Sequence, residues 1–427
     1  MLIPASASST RFAFRKRAVM AACAAALSLA VVRCDNGVQD KEPSTGKRSF
    51  TPTFSATSAE VREFLSKGQG GVNAKLVYID RTRPEEQLCY IDFSEAAASP
   101  AIHVIAAAKD PEVPVISPDG KWVVYASGTG TEAGSAPGTN SSVYLVKMEE
   151  AAQPVLIAAD SACEPRFVQN PADGRLTVVY STQSPNLGWE GHGRTMESEV
   201  DVSGNAPVPG TPKVLCASGS YTGGLSYDGR YLCGGGGHIA MLDMQGAKGR
   251  PDTLSYDMIQ SCNASITSSR VRTNAMMYLN TQGSAAAING GKKWGEWQTI
   301  LISDNAKHLL KGYTYPAAFT YPVETVTPSV SAIKWHHCEW SNHPHFATAT
   351  LNVERYFKSA SGYDNTAMQE RIYLINLKDS AYLEVLRPDA VKSAGGTYDV
   401  SGFYWPWLWV EVPAGFEENK DWLDTVL

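Results

Sequence analysis

From residue 75 onward the apolar positions alternate or run in short blocks, and they return repeatedly to one arrangement. An apolar residue is followed by a short polar link, Asp-Gly and a β-rich run in VISPDGKWVVYAS (115–127), RFVQNPADGRLTVVYST (166–182) and GLSYDGRYLCGG (224–235). Asp-Gly between two apolar runs predicts a hairpin, because glycine takes the positive φ of a tight turn at no steric cost. ASITSSRVRTNAMMYLN (264–280) and CEWSNHPHFATATLN (338–352) keep the register without Asp-Gly, and KLVYIDR (75–81) is a half copy ahead of them. A third strand is predicted after each unit, at QLCYIDF (87–93), SVYLVKM (142–148), MESEVDV (196–202), HIAMLDM (238–244), EWQTILI (296–302) and RIYLINL (371–377). Outer strands follow at AIHVIAA (101–107), QPVLIAA (153–159) and PKVLCAS (212–218). The pattern gives four strands per unit and six units. One helix is predicted over AEVREFLSKG, opened by the capping-box spacing Thr57-x-x-Glu60 and ended at Gly68.

The aligned first-strand residues are Ile116, Phe167, Leu225, Ile266 and Trp340, which lie 51, 58, 41 and 74 residues apart. Basic units of about 40–45 residues with loop insertions suit a β-propeller. The SPDG-then-strand pattern resembles the TolB-like propeller repeats of exported and periplasmic bacterial proteins, over roughly residues 70 to 413. The resemblance implies an all-β fold: a six-bladed β-propeller of four-stranded antiparallel blades, preceded by the short helix. It says little about function, since the same repeat occurs in scaffolds, lyases and peptidase caps. The first unit lacks its own first strand, and GFYWPWLWVEV (402–412) is expected to supply it and close the ring. Trp405, Trp407 and Trp409 fall at i, i+2 and i+4, predicting one shared face. Packing between blades is preferred there to a platform for a sugar ring.

Composition mainly adds an address. The first 33 residues carry Arg11, Arg15, Lys16, Arg17 and Arg33 and no acid, and an apolar run of fifteen spans 18–32. That run is short for a membrane span of about 20 residues, so 1–33 reads as a signal peptide. Ser28-Leu29-Ala30 offers a cleavage site, and VVRC resembles a lipobox ending at Cys34, with Arg33 where a small residue is usual. Lipidation at Cys34 is the preferred reading; simple secretion and an uncleaved anchor are the others, and all three place the body outside the cytoplasm. A flexible tether (34–57), the propeller (58–413) and a C-terminal tail (414–427) follow. The formal charge is −6, and without the leader it is (37 − 5) − 43 = −11. An acidic body argues against nucleic acid. Expected partners are an envelope protein or a glycan, with membrane contact only through the N-terminal lipid. The cysteines beyond Cys34 show no tight spacing and are read as scattered buried thiols.

HHCEWSNHPHF (336–346) packs four histidines beside a cysteine and a glutamate. Aligned with SPDGKW, Ser341 takes the place of Ser117, His343 of Asp119, Pro344 of Gly120 and His345 of Lys121. His336 and His337 belong to the loop before the strand. At about 3.3 Å per residue, His337 and His343 stand roughly 20 Å apart. One metal needs its nitrogens about 2 Å away, so the four cannot share an ion. The family resemblance implies that the loop entering each first strand lines the mouth of a central channel. Four residues before the aligned position stand Glu112, Cys163, Tyr221, Cys262 and His336; three before it stand Val113, Glu164, Thr222, Asn263 and His337. The candidate mouth site is therefore Glu112, Cys163, Glu164, Tyr221, Cys262, Asn263, His336 and His337. TolB-like polysaccharide lyases hold a divalent metal with histidines on this kind of surface. Here only one blade supplies them at these positions, with His192 and His238 left to join from loops.

No GxSxG elbow is present, GTGTEAG (128–134) misses the dinucleotide spacing, and GGGGH (234–238) opens no helix. Long inserts carry or adjoin Trp189, Trp294 and Tyr313, which are candidate loop contacts. The expected function is a non-enzymatic binding or scaffold propeller of the cell envelope, with no catalytic residue and no cofactor. The rival is a metal-assisted carbohydrate-active enzyme using His336 or His337 with Glu164. A third reading makes the propeller one module of a larger assembly.

Overall fold

The computed structural model describes residues 52–423, except 68–72, 84, 96–98, 107–109, 129–140, 160, 172, 184–191, 205, 218–221, 247–251, 281–286, 289–291, 294–298, 305–307, 317–332, 360–361 and 389–400. The side chains of 192, 222, 235–240, 252–262, 287–288, 292–293, 354–359, 362–368, 401, 420 and 421 also lie outside that description. So do the leader, Cys34 and most of the tether, together with Tyr221, Trp189, Trp294 and the side chain of Cys262.

The described chain is all-β with one short α-helix, Ser58–Ser66. Thr57 caps that helix reciprocally with Glu60, and Val61 and Leu65 are buried on one face. One sheet runs Pro111–Ile116, Trp122–Ser127, Ser142–Lys147, Val155–Ala158, all antiparallel. A second runs Ala162–Gln169, Leu176–Gln183, His192–Asp201, which then pairs with Lys213–Cys216 and Val208–Pro209. A third orders Thr222–Leu225, Tyr231–Asp243, Asp252–Ile266, Ala275–Asn280, Thr299–Asp304 and His308–Tyr313. In the fourth, Ile333–Trp340, Phe346–Ser359, Gly362–Asn376 and Ala381–Pro388 follow one another, and Pro52–Phe54 adds to the last edge. Ser401–Val410 joins this sheet by a two-residue parallel contact, Gln369 with Ser401 and Glu370 with Gly402. Its other side pairs antiparallel with Ala74–Asp80, which leads to Gln87–Asp92 and His103–Ala106. The C-terminal strand is thus the first strand of the first unit.

The Asp-Gly turns form as the sequence predicts. Gly120, Gly174 and Gly229 have φ of 72°, 72° and 69°. Ser117 Oγ accepts from Trp122 N and donates to Asp119, and Ser226 makes the same bonds with Tyr231 N and Asp228. One prediction differs. HIAMLDM was expected as a separate third strand, but Tyr231–Asp243 is continuous. The GGGGH segment contains no residue that forces a turn, so the strand runs on and pairs with Asp252–Ile266, whose far end begins the next unit.

Side chains from successive units interleave in separate apolar clusters. One joins Val77 and Leu88 to Val123, Leu145, Val178 and Trp407. Val179, Cys216 and Leu232 form the next, Cys233, Met241 and Met276 another, and Met277, Ile302, Trp335 and Ala349 a fourth. A last cluster sets Leu76, Tyr78 and Phe403 against Phe346, Ile372 and the helix residues Val61 and Leu65. Last and first units therefore share a core.

Candidate functional site

Each first strand carries one extra residue at the same register. Cys163 and Arg166 oppose Ser181 and Val179, Cys262 and Ser265 oppose Leu279 and Met277, and His336 and Glu339 oppose Thr350 and Thr348. Glu112 and Val115 oppose Ala126 and Val124, and Tyr404 and Trp407 oppose Ile79 and Val77. These are β-bulges, and the extra residue takes the left-handed conformation: Val113 (φ 48°), Glu164 (53°), Asn263 (54°), His337 (47°) and Trp405 (49°). Thr222–Leu225 has its shift beside Gly224, at φ 106°. Non-glycine residues avoid this region, at a cost of about 1–3 kcal/mol each, and such strain gathers at functional positions. Proline follows the bulge in Val113-Pro114, Glu164-Pro165 and Trp405-Pro406, where a missing N–H is tolerated.

Four members of the bulge series are the residues three before the aligned position. The fifth, Trp405, was missed because evenly spaced tryptophans read as an unbroken strand; Pro406 was the available signal. The bulge also overturns the expected shared face. Trp407 and Trp409 pack with Leu88 and Trp122, whereas Trp405 packs with Ile79, Val113 and Tyr404. Trp409 Nε1 donates to Pro118 O, and its ring lies 2.8 Å from where a Cβ on Gly120 would stand. These tryptophans are packing residues.

Around the bulges the C-terminal strand meets Ile333–Trp340. The His337 ring lies 3.9 Å from that of His336, 4.0 Å from Tyr404 and 4.8 Å from Trp405, and Tyr404 stacks on Trp405 at 5.5 Å. Burial pushes His336 down to about 3, with Lys334 and Arg81 adding to the effect. Burial, then His336, Arg81 and Arg166, hold His337 well below the usual imidazole range. Both rings are neutral at physiological pH. Both nitrogens of His337, Nδ1 of His336, Nε1 of Trp405 and Oε2 of Glu339 are buried without a hydrogen-bond partner.

Burial pushes the Cys163 thiol well up, with Glu164 and Glu112 reinforcing it, and the thiol donates to Ser181 O at 3.5 Å. It is unsuited to nucleophilic attack. Cys338 Sγ donates to Asn263 O at 3.8 Å. Arg166, on the strand Ala162–Gln169, meets Glu339, on Ile333–Trp340, at 2.7 Å, with only 5% and 10% of the two side chains exposed. Burial raises the Glu339 carboxyl, while Arg166 and the Ser265 hydroxyl pull it back. A Cβ on Gly224 would stand 3.1 Å from Ile266 Cγ2 and at ordinary contact distance, 3.8 Å, from the arginine stem. The structure buries Cys163, Glu164, Asn263, His336 and His337 and half-buries Glu112; it brings His336 to His337, and Cys163 near Glu164 and Glu112. Among the described residues no group of three His, Cys, Asp or Glu could hold a metal ion. What the arrangement offers is hydrogen bonding from neutral rings near the Arg166–Glu339 pair.

The other histidines lie in a different cluster, as the repeat alignment predicts. His343 Nδ1 accepts from His345 N at 3.2 Å, and both rings pack on Phe416, with His345 also against Trp422. Within the segment read as a C-terminal tail, Trp422 and Leu423 are buried with Trp340. Tyr313 is corrected as a loop contact. It ends the strand His308–Tyr313, is 1% exposed and donates its hydroxyl to Leu377 O at 2.6 Å. Cys89, Cys163, Cys233 and Cys338 are buried thiols outside any disulfide.

Fold and site together define an all-β repeat protein with bulged first strands whose bulged residues are partly polar. No family model matches the chain, and no curated protein matches it. Solved structures similar to it include TolB of Acinetobacter baumannii, at 11% identity over 78% of this chain and 66% of that one, with a TM-score of 0.43. The chain spans just under two thirds of that protein. A Lactobacillus plantarum protein matches at 10% identity over 79% and 98%, with a TM-score of 0.41. An Agrobacterium tumefaciens protein provisionally named TolB matches at 13% over 80% and 98%, with a TM-score of 0.39. Likenesses of that size leave activity and partners to be argued from the chain itself.

Proposed function

We propose that the chain is a six-bladed, ring-closed propeller of the TolB-like kind, exported and lipidated at Cys34, that binds an envelope protein or glycan at its bulged end without catalysing a reaction. The bulge repeated in six first strands supports this reading most directly. Such a register brings equivalent positions to one end of a common axis. Cores linking each unit to the next and the last to the first support closure. Neutral buried imidazoles, raised thiols and an internally paired arginine favour holding a ligand over proton transfer or nucleophilic attack.

Site-specific photo-crosslinking in cells tests this. A crosslinker at position 112, at the bulged end, should capture a discrete envelope partner; one at exposed Leu156, on an outer strand, should not. Equal capture at both, or none at 112, rejects the mouth as the recognition surface.

A further inference from the structure

Gly402 and Glu370 face each other where the C-terminal strand meets the last sheet. A Cβ on Gly402 would lie 2.3 Å from Glu370 Cβ and 2.5 Å from its carbonyl oxygen, so only glycine lets the strands approach. Arg81 fixes the same point from the first unit, its N–H donating to Gly402 O at 2.9 Å. Its guanidinium contacts three groups: Glu86 at 3.1 Å, Glu370 at 3.9 Å and the face of Tyr404 at 4.4 Å. Tyr404 is the ring on which His337 rests. One cation therefore touches both the seam and the mouth.

The distances are unequal in an informative way. A charge-assisted bond to an ionised carboxylate runs about 2.7–2.9 Å, and the Glu370 contact is an ångström longer. Glu370 is 4% exposed. Burial pushes its carboxyl up to about 7, with Arg81 pulling it down and Glu86 adding to the rise. Burial also works against the Arg81 charge, which Glu370, Glu86 and Tyr404 more than restore. Asn352 lies across from Glu370, and the strand beyond it carries Lys334 and neutral His336. Arg371, next in sequence, is turned away toward Glu384 at 3.1 Å.

We propose that Glu370 and Arg81 form a proton-operated latch at the seam, which sets the position of Tyr404 in the mouth. With the proton on Glu370, Arg81 stays with Glu86 and over the Tyr404 ring, the contacts observed. When the proton leaves to solvent, an unscreened carboxylate draws the guanidinium in and off the ring. The change needs no other reactant. Its bearing on recognition rests on the mouth reading above; its titration does not.

Fluorine NMR of full-length protein labelled with 5-fluorotryptophan tests it, with the Trp405 signal assigned through Trp405→Phe. The signal should move between pH 5 and 9 with a midpoint at about 7. Glu370→Gln should abolish that titration. Glu86→Gln, at a side chain 20% exposed, should lower the midpoint by about half a unit or more, and it decides the matter alone if the first variant does not fold. A flat wild-type signal, or a midpoint unmoved by Glu86→Gln, overturns the latch without touching the mouth reading. Absence of adducts at position 112 would overturn the mouth reading without touching the latch.

Discussion

His343 holds the turn position that Asp119, Asp173 and Asp228 occupy elsewhere, and its Nδ1 accepts the N–H two residues on as their Oδ1 atoms do. The imidazole does a carboxylate's backbone work without its charge, which suits a site that is fully buried. His343→Asn keeps a neutral acceptor and should be more stable than His343→Ala by about 1 kcal/mol in denaturant titration. Burial lowers both His336 and His343 to about 3. Their folded values lie below the unfolded one, so the stability they contribute is full above about pH 6.5. It falls as pH drops from there toward 3. The melting temperature of His343→Asn should therefore decline less between pH 6.5 and 4.5 than that of the wild type. Glu370 acts in the opposite sense: its folded value is raised, and its contribution fades as pH rises through about 7. Opposite slopes make the two effects separable by variant.

Within elements, the bulges decide what the first strands present. An unbroken strand would send alternate residues to opposite faces; one extra residue re-aims everything beyond it. That places Arg166 and Glu339 where they meet. Breaking a buried pair from one side leaves a bare charge, so Arg166→Met should cost about 3–5 kcal/mol. Adding Glu339→Leu should recover most of that loss, since the isolated charge is then gone. Urea melts of the two variants check this, and a double variant as unstable as the single would show that the pair is needed for more than mutual neutralisation. The bulge column was legible in the sequence only as an alignment position. Its backbone conformation was not, because Val, Glu, Asn, His and Trp share no propensity for a positive φ; the neighbouring strands impose it.

For the molecule as a whole, the C-terminal segment is structural at residues 401–410 and at Trp422 and Leu423. Residues 401–410 pair with the first unit and contribute Trp407, Leu408 and Val410 to two cores, while Trp422 and Leu423 cover Trp340. Removal of 414–427 should leave a folded protein destabilised by about 3 kcal/mol or more, the cost of losing a buried tryptophan. Removal from 401 onward should abolish the cooperative thermal transition by circular dichroism, because two cores lose a wall at once. The sequence by itself determined most of the strands, the Asp-Gly turns, the helix cap, the C-terminal strand's partner and the separation of the two histidine pairs. All of these follow from short-range periodicity and turn chemistry. Only the tertiary structure decided that Trp405 leaves its neighbours' face, that Tyr313 is buried, that Trp422 and Leu423 fold back onto Trp340 and that Arg81 bonds Gly402 while lying over Tyr404. Those depend on contacts between residues distant in the chain, from the 64 positions between Tyr313 and Leu377 to far more between Arg81 and Gly402, where packing and desolvation act.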